Sequence, residues 1–487
     1  TKRIQSKWWN GCWLLMLSFL LPKDKKLFKY IFVLALPVII SNTSRVLMGV
    51  VDLIMIGHLG ASAIAAVGIA GMVGWTFISL GIAFRTGTQS FVSRRLGEKK
   101  YLHCSIALWN MLTLSFFIGF PLTFILCYNI DLIMSLFISS ENITAYSLSI
   151  DYAYYNFLSL FFLYASFVFQ GFYTGIEKTK IHMKATLSSN IVNLYLNFGL
   201  IFGTDKIIEN LDKTSFSFLS NLWSFYNFPE LGVKGAAIGT LVACIWLFVH
   251  YFFYLFKDDI NKKFNSLNIK LDKKMFKRQI EIASPVAIQE TLVALSLAVF
   301  YKLIAIIGIL ELAATQVVFR IMHASFMPAI GVGQACSTLV GKFLGEKNPI
   351  KAEIAIYESL RGSFLMMGFM GICFICFADY IIPIFISDVN VINIAVPGLR
   401  FVGYIQFIDA ICFTLWFALT GAGDTKVLAF VDILSHWLLF IPLVYFLGIT
   451  LNMGYWGAWI GFASHLTFIA AFTILRLKSG KWKEVIL

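Results

Sequence analysis

ALPVIISNTSRVLMGVVDLIMIGHLG, residues 35–60, is the stretch on which the reading of the whole chain turns. It is apolar over the roughly 20 residues that a membrane-spanning helix needs, yet it carries Pro37, a polar patch and, near its far end, the carboxylate of Asp52. An acidic side chain at the centre of a span costs about 3 kcal/mol or more unless it faces a cavity, a partner or a proton. A proline in a span frees backbone groups that neighbouring helices or water must satisfy. Both features turn this helix toward the protein interior.

The rest of the chain agrees. Of its 487 residues 59% are hydrophobic and 13% charged, with a mean hydropathy of +0.79, whereas soluble domains carry about 25% charged residues. This composition is that of a polytopic membrane protein, and its continuous apolar runs exclude a barrel of short alternating strands. The net charge of +13 does not imply nucleic acid, because the basic residues fall in short segments between apolar runs, where they act as topology signals. The eight cysteines lie almost entirely inside those runs without the spacing of a disulfide framework, and Cys373 and Cys376 read as core packing.

Spans are predicted at about 30–57, 61–86, 104–128, 149–173, 181–203 and 232–256, then at 280–307, 312–340, 353–377, 397–421, 427–448 and 454–475. The expected fold is all-α, with twelve transmembrane helices in two parallel six-helix lobes. Residues 1–29 form a basic segment, 30–256 the N-lobe, 257–279 a linker, 280–477 the C-lobe and 478–487 a tail. Within the first segment Trp8–Pro22 is too short for a comfortable span and reads as an interfacial helix, since KDKKLFK after it is no signal-peptide cleavage site. Lys257–Arg278 holds eight Lys/Arg against three Asp. The N-terminal segment, the 94–103 and 177–184 turns, the linker and the tail are net basic, and the opposite loops carry Asp131, Glu141, Asp151, Asp379 and Asp388. The positive-inside rule therefore puts both termini and the linker in the cytoplasm, and the expected location is the plasma membrane, or the inner membrane of a bacterium. The 204–231 loop and the Asn142–Thr144 sequon fall on the outer side.

The halves repeat one another. Separated by 248 residues, Ala35 and Pro37 match Ala283 and Pro285, Gly60 matches Gly308, Ala65–Ala66 matches Ala313–Ala314, and Leu96–Lys99 (LGEK) matches Leu344–Lys347. TGIEKTK (174–180) matches TGAGDTK (420–426), and GVKGAAIG (232–239) matches GYWGAWIG (454–461). Each set of six starts on the same side, so the repeats are parallel, with a site expected between them or inside each bundle.

These elements, with RIMHASFMPAIGVGQACSTLVGKFLGEKNP in the eighth span and its turn, resemble the multidrug and toxic compound extrusion (MATE) family of cation-coupled antiporters over about Leu34–Leu477. The resemblance implies a coupling-ion site at Asp52, Asn193 and Asn197, and a tenth-span carboxylate, Asp409, which some members use in the second lobe. Glu290 lies nearer its proline than the family's seventh-span glutamate.

On their own physics, Asn193 and Asn197 are one turn apart on one helix face, and at about 1.5 Å per residue they share the outer half of the membrane with Asp52 if the first span bends at Pro37. Amide oxygens beside a carboxylate suit Na⁺ or a proton-binding Asp. The plainer alternative makes the asparagines interhelical hydrogen-bond partners and pairs Asp52 with Arg45. Glu290 and Asp409 sit at similar depth and together make a second ion or substrate site, against pairing with Arg320 or Arg361. Gln89, Tyr155 and Gln170 are polar positions that can line a cavity. The seven histidines show no metal spacing, and His323 and His436 read as core residues. No metal beyond Na⁺, no cofactor and no catalytic residue is expected, and no nucleotide motif suggests an ATP-driven pump.

The expected function is a secondary antiporter, not an enzyme: a monomer in membrane lipid that exports small amphiphilic organic cations in exchange for Na⁺ or H⁺. A lipid-linked oligosaccharide flippase of the same superfamily is the transport alternative, and a membrane-embedded lipid-modifying transferase the alternative from another class.

Overall fold

The computed structural model describes residues 21–138, 143–213, 217–224, 226–485 and 487. The interfacial helix expected in residues 8–22 lies almost wholly outside them, as does Asn142 of the sequon. Eleven helices among the described residues are long and apolar enough to cross a membrane. In chain order the spans are Lys25–Gly57, Ala61–Gly97, Tyr101–Tyr128, Ile143–Gly175, a fifth to be described, and Val233–Tyr254; then Lys273–Ile307, Ile309–Gly345, Pro349–Phe385, Val389–Ala422, Thr425–Thr450 and Gly454–Lys478. The fifth, Thr179–Phe202, is long enough at 24 residues, but Lys180, His182, Lys184, Asn190, Asn193 and Asn197 make it more polar. The fold is therefore the all-α, two-lobe bundle expected.

The repeat reaches the details that start and stop helices. Asp24 accepts from Leu27 N at 2.9 Å to cap the first span, and Asp272 accepts from Met275 N at 2.7 Å to cap the seventh, each satisfying an otherwise orphaned N–H. At the two LGEK turns Lys99 and Lys347 take positive φ, 61° and 57°. The following amides close back onto Arg95 O and Phe343 O, at 3.0 and 2.9 Å, as in a left-handed helix C-cap. Glu177 and Gly423 close the fourth and tenth spans in the same manner.

Two spans cross between the lobes, which the division at residue 257 does not anticipate. The first half of span one (Leu27, Ile31, Leu34, Ala35, Ile39) packs into the C-lobe core of Val332, Leu339, Phe343 and Ile356, while its far end (Met55, Ile56) packs with Ala63, Ile201 and Val233 of the N-lobe. Span seven does the converse: Met275, Ile282, Ala283 and Val286 join the N-lobe core, and Phe300 and Ile304 join the C-lobe. Polar anchors hold the crossed ends. Glu358 Oε1 accepts from Lys23 N and Asp24 N, both at 3.1 Å, and 248 residues earlier Asn110 Oδ1 accepts from Asp272 N at 3.2 Å.

The second span runs to Gly97, not to 86, because the polar and small residues Thr86–Ser93 are buried between the lobes rather than exposed in a loop. Gly97 and Gly345 meet there: a Cβ on the first would lie 2.0 Å from Lys342 O, and one on the second 2.2 Å from Arg94 O. Around them Ser90 Oγ donates to Thr420 O at 2.7 Å, Thr338 Oγ1 to Thr174 O at 3.2 Å, and Lys342 Nζ to Glu177 Oε1 at 2.8 Å. The tail adds Arg94 Nη2 to Val485 O at 2.5 Å and buries Trp482. The lobes are thus sealed together at the end that bears the LGEK turns.

Candidate functional site

Asp52 and the two asparagines meet. Asn197 Nδ2 donates to Asp52 Oδ1 at 2.8 Å and to Asn193 Oδ1 at 3.4 Å, and Asn193 Nδ2 reaches Thr240 Oγ1 on the sixth span at 3.4 Å. Both asparagines are buried, and Asp52 is partly so. Gly239 makes room for them, since a Cβ there would lie 2.0 Å from Asn197 Oδ1. That oxygen is buried with no hydrogen-bond partner among the described residues, so the cluster holds one acceptor in reserve. Asp52 makes no ion pair with Arg45 or any other cation among the described residues. Arg45 is exposed, and beside it Ser44 Oγ accepts from Asn190 Nδ2 at 2.7 Å. A carboxylate presented to amides rather than to a fixed cation can take up and release a mobile one.

The second-lobe candidates lie apart. Asp409 is 1% exposed, and its Oδ2 has no partner among the described residues. Neither cation weighed against it is beside it: Arg361 Nη1 donates to Glu358 Oε1 at 2.5 Å, and Arg320 is exposed. Glu290 instead lies within electrostatic range of Asp432 and His436 in its own lobe and of Arg85 across the interface. Arg85 was not singled out in the sequence, because a second span ending at 86 made it a flanking residue. It is in fact deeply buried.

The three cavity candidates occupy three settings. Gln89 Nε2 donates to Gln334 O at 2.8 Å and to Thr338 Oγ1 at 2.9 Å, which makes it part of the clasp between lobes rather than a free cavity group. Gln170 is buried against His182, Nε2 to Nε2 3.2 Å. Tyr155 is partly exposed, with Lys234 Nζ 5.9 Å from its ring centroid.

Two histidine readings also change. His323 is exposed rather than in the core. His436, for which the chain showed no metal spacing, stands beside Asp432 and His465; the third member comes from another span, which spacing along the chain cannot show. The Asp432–His436 pair, one turn apart, was the available signal.

Comparison with known proteins accounts for this architecture. The sequence model of the MatE family matches residues 37–198 and again residues 285–446, the register of the repeat. The chain is 26% identical over 481 residues to a probable multidrug resistance protein NorM of Thermotoga maritima, covering 95% of each chain. It is 25% identical over 466 residues to the multidrug resistance protein MdtK of Yersinia pseudotuberculosis, covering 91% of this chain and 94% of that one. Among solved structures, an outward-facing multidrug resistance MATE family transporter of the MOP superfamily superposes with a TM-score of 0.83 at 20% identity, over 94% of this chain and 97% of that one. A MATE crystal structure in the straight conformation gives 0.81 at 21% identity, with the same coverage. Two family matches in one chain, on two lobes built alike around one seam, make this multi-pass integral membrane protein a member of the MATE family of transporters.

Proposed function

We propose that this protein is a secondary antiporter that exports small amphiphilic organic cations in exchange for Na⁺ or H⁺, with Asp52, Asn193 and Asn197 as the coupling-ion site. The observation that carries the reading is the Asp52 carboxylate set among buried amides with no fixed counter-cation among the described residues. An ion taken up there and a substrate that favours the unloaded state each lower the other's affinity by the same factor, which is the thermodynamic content of antiport. As placed, Asn197 turns its amide nitrogen to Asp52; a Na⁺ shell needs the opposite amide orientation, with Oδ1 facing the carboxylate. The relatives named as multidrug resistance proteins support the substrate class. Efflux from proteoliposomes under separately imposed Na⁺ and H⁺ gradients tests the reading: one gradient drives accumulation, and driving by neither overturns it.

In the proposed orientation the sealed end faces the cytoplasm, consistent with the basic 94–103 turn, linker and tail. A cysteine at Ser217 then labels with an impermeant thiol reagent added outside, and one at Asn265 resists it. The reverse pattern places the sealed end outside.

A further inference from the structure

The C-lobe holds a polar cluster for which antiport at Asp52 has no use. Asp432 and His436 project from the eleventh span and His465 from the twelfth, and one donor atom from each lies within 4.8 Å of the others. The two imidazole centroids are 4.1 Å apart. His436 Nδ1 is 3.0 Å from Asp432 O and 3.5 Å from its Oδ1. Both rings are buried, His465 at 4% exposure. In the first half the corresponding positions are Thr186, Asn190 and Ala243, so the fold itself does not require histidines there.

Two further observations favour an ion at this cluster. The donors are already aimed: Ser435 Oγ lies 2.6 Å from His465 Nδ1, and Gln289 Nε2, from the seventh span, donates to Asp432 Oδ2 at 2.7 Å. Such outer hydrogen bonds fix the tautomer and direction of ligating imidazoles and carboxylates, and each ring keeps a second nitrogen. Gln289, 4% exposed, also buries its Oε1 with no partner among the described residues, and such a loss of hydration is costly. The backbone contributes as well. Pro442 supplies no N–H and crowds the turn before it, and that turn is a widened π-helix, Ser435–Phe440, whose first residue holds His465.

We propose that Asp432, His436 and His465 bind a borderline divalent transition-metal ion of the Zn²⁺ or Co²⁺ class, with Gln289 Oε1 as the neighbouring oxygen donor. Two imidazoles and a carboxylate suit such ions, whereas Na⁺, Mg²⁺ and Ca²⁺ favour all-oxygen shells. The site is therefore chemically distinct from the one at Asp52. Metal–nitrogen bonds of about 2.0–2.1 Å require the donors to draw together from their present spacing by side-chain rotation. A bound ion ties the eleventh span to the twelfth, and through Gln289 to the seventh.

The test uses the full chain in nanodiscs with any polyhistidine tag removed, stripped by chelator and re-equilibrated with Zn²⁺ or Co²⁺. The expected result is about one ion per polypeptide by elemental analysis, nitrogen-ligand absorption bands for Co²⁺, and a Zn²⁺-dependent rise in melting temperature unaffected by excess Na⁺ or Mg²⁺. His436→Gln and Asp432→Asn lose all three, and Ser435→Ala weakens binding by about 10–100-fold. No ion above background in the parent protein, or equal retention by parent and His436→Gln, overturns the proposal. If the variants fail to fold, the Co²⁺ spectrum of the parent decides, and the absence of nitrogen-ligand bands is again fatal to it.

Discussion

The two lobes share a scaffold and differ in what they carry. At the spacings that align the halves, 248 residues in the first span and 246 in the fifth, Asp52, Asn193 and Asn197 correspond to Phe300, Leu439 and Leu443, while Asp432 and His436 correspond to Thr186 and Asn190. What repeats is what bends, caps or closes the chain: Pro37 and Pro285, Asp24 and Asp272, Lys99 and Lys347, Gly97 and Gly345. Backbone geometry leaves few residue choices at a left-handed turn or where two helices touch, whereas a polar side chain in the core is retained only where it has a task. The lobes are therefore alike in scaffold and unlike in the polar groups they carry.

The largest effect should come from the chemistry. Asp52→Asn is expected to reduce gradient-driven export to the level of empty liposomes while the protein stays folded, because an amide there needs no counter-ion and still meets Asn197. Phe300→Asp, its mirror, should add no second coupling site. Export near the parent rate by Asp52→Asn would shift the coupling role to Glu290 or Asp409.

The crossed helix ends sharpen the comparison through stability. Glu358→Ala takes the carboxylate from buried Arg361 and from two backbone amides, and should cost about 3–5 kcal/mol in denaturant unfolding. Its counterpart Asn110→Ala removes neutral hydrogen bonds and should cost about 1–3 kcal/mol. Equal losses would mean that the charge at Glu358 adds nothing to the anchor.

Where the lobes touch, they should respond alike. Gly97→Ala and Gly345→Ala each place a Cβ against a carbonyl oxygen, 2.0 and 2.2 Å away, and each should destabilise the sealed state by about 1–3 kcal/mol. Cysteine cross-linking between spans two and eight would report this, and a defect in only one variant would break the mechanical symmetry. The smallest stability effect is expected for Asp409→Asn, a near-isosteric change at a group without a counter-ion among the described residues: transport falls if Asp409 handles ion or substrate, with the melting temperature nearly unchanged. A large loss of stability with normal transport per folded molecule would identify a structural role instead.

Much of this molecule was legible before its structure. Apolar run length determined the helices, since hydrocarbon demands about 20 residues per crossing, and the internal repeat determined two lobes of six. The resemblance to the MATE family singled out Asp52, Asn193 and Asn197; helical periodicity put the two asparagines on one face, and depth counting put all three in the outer half of the membrane if the first span bends at Pro37. Other features were decided by tertiary packing alone. Gln89 is a clasp, Arg85 is deep, and spans one and seven trade lobes, because burial at a helix–helix seam depends on the partner surface and not on local hydropathy: Thr86–Ser93 look like a loop and are core. His465 joins Asp432 and His436 for the same reason, as donors from different spans have no fixed spacing along the chain until the helices pack.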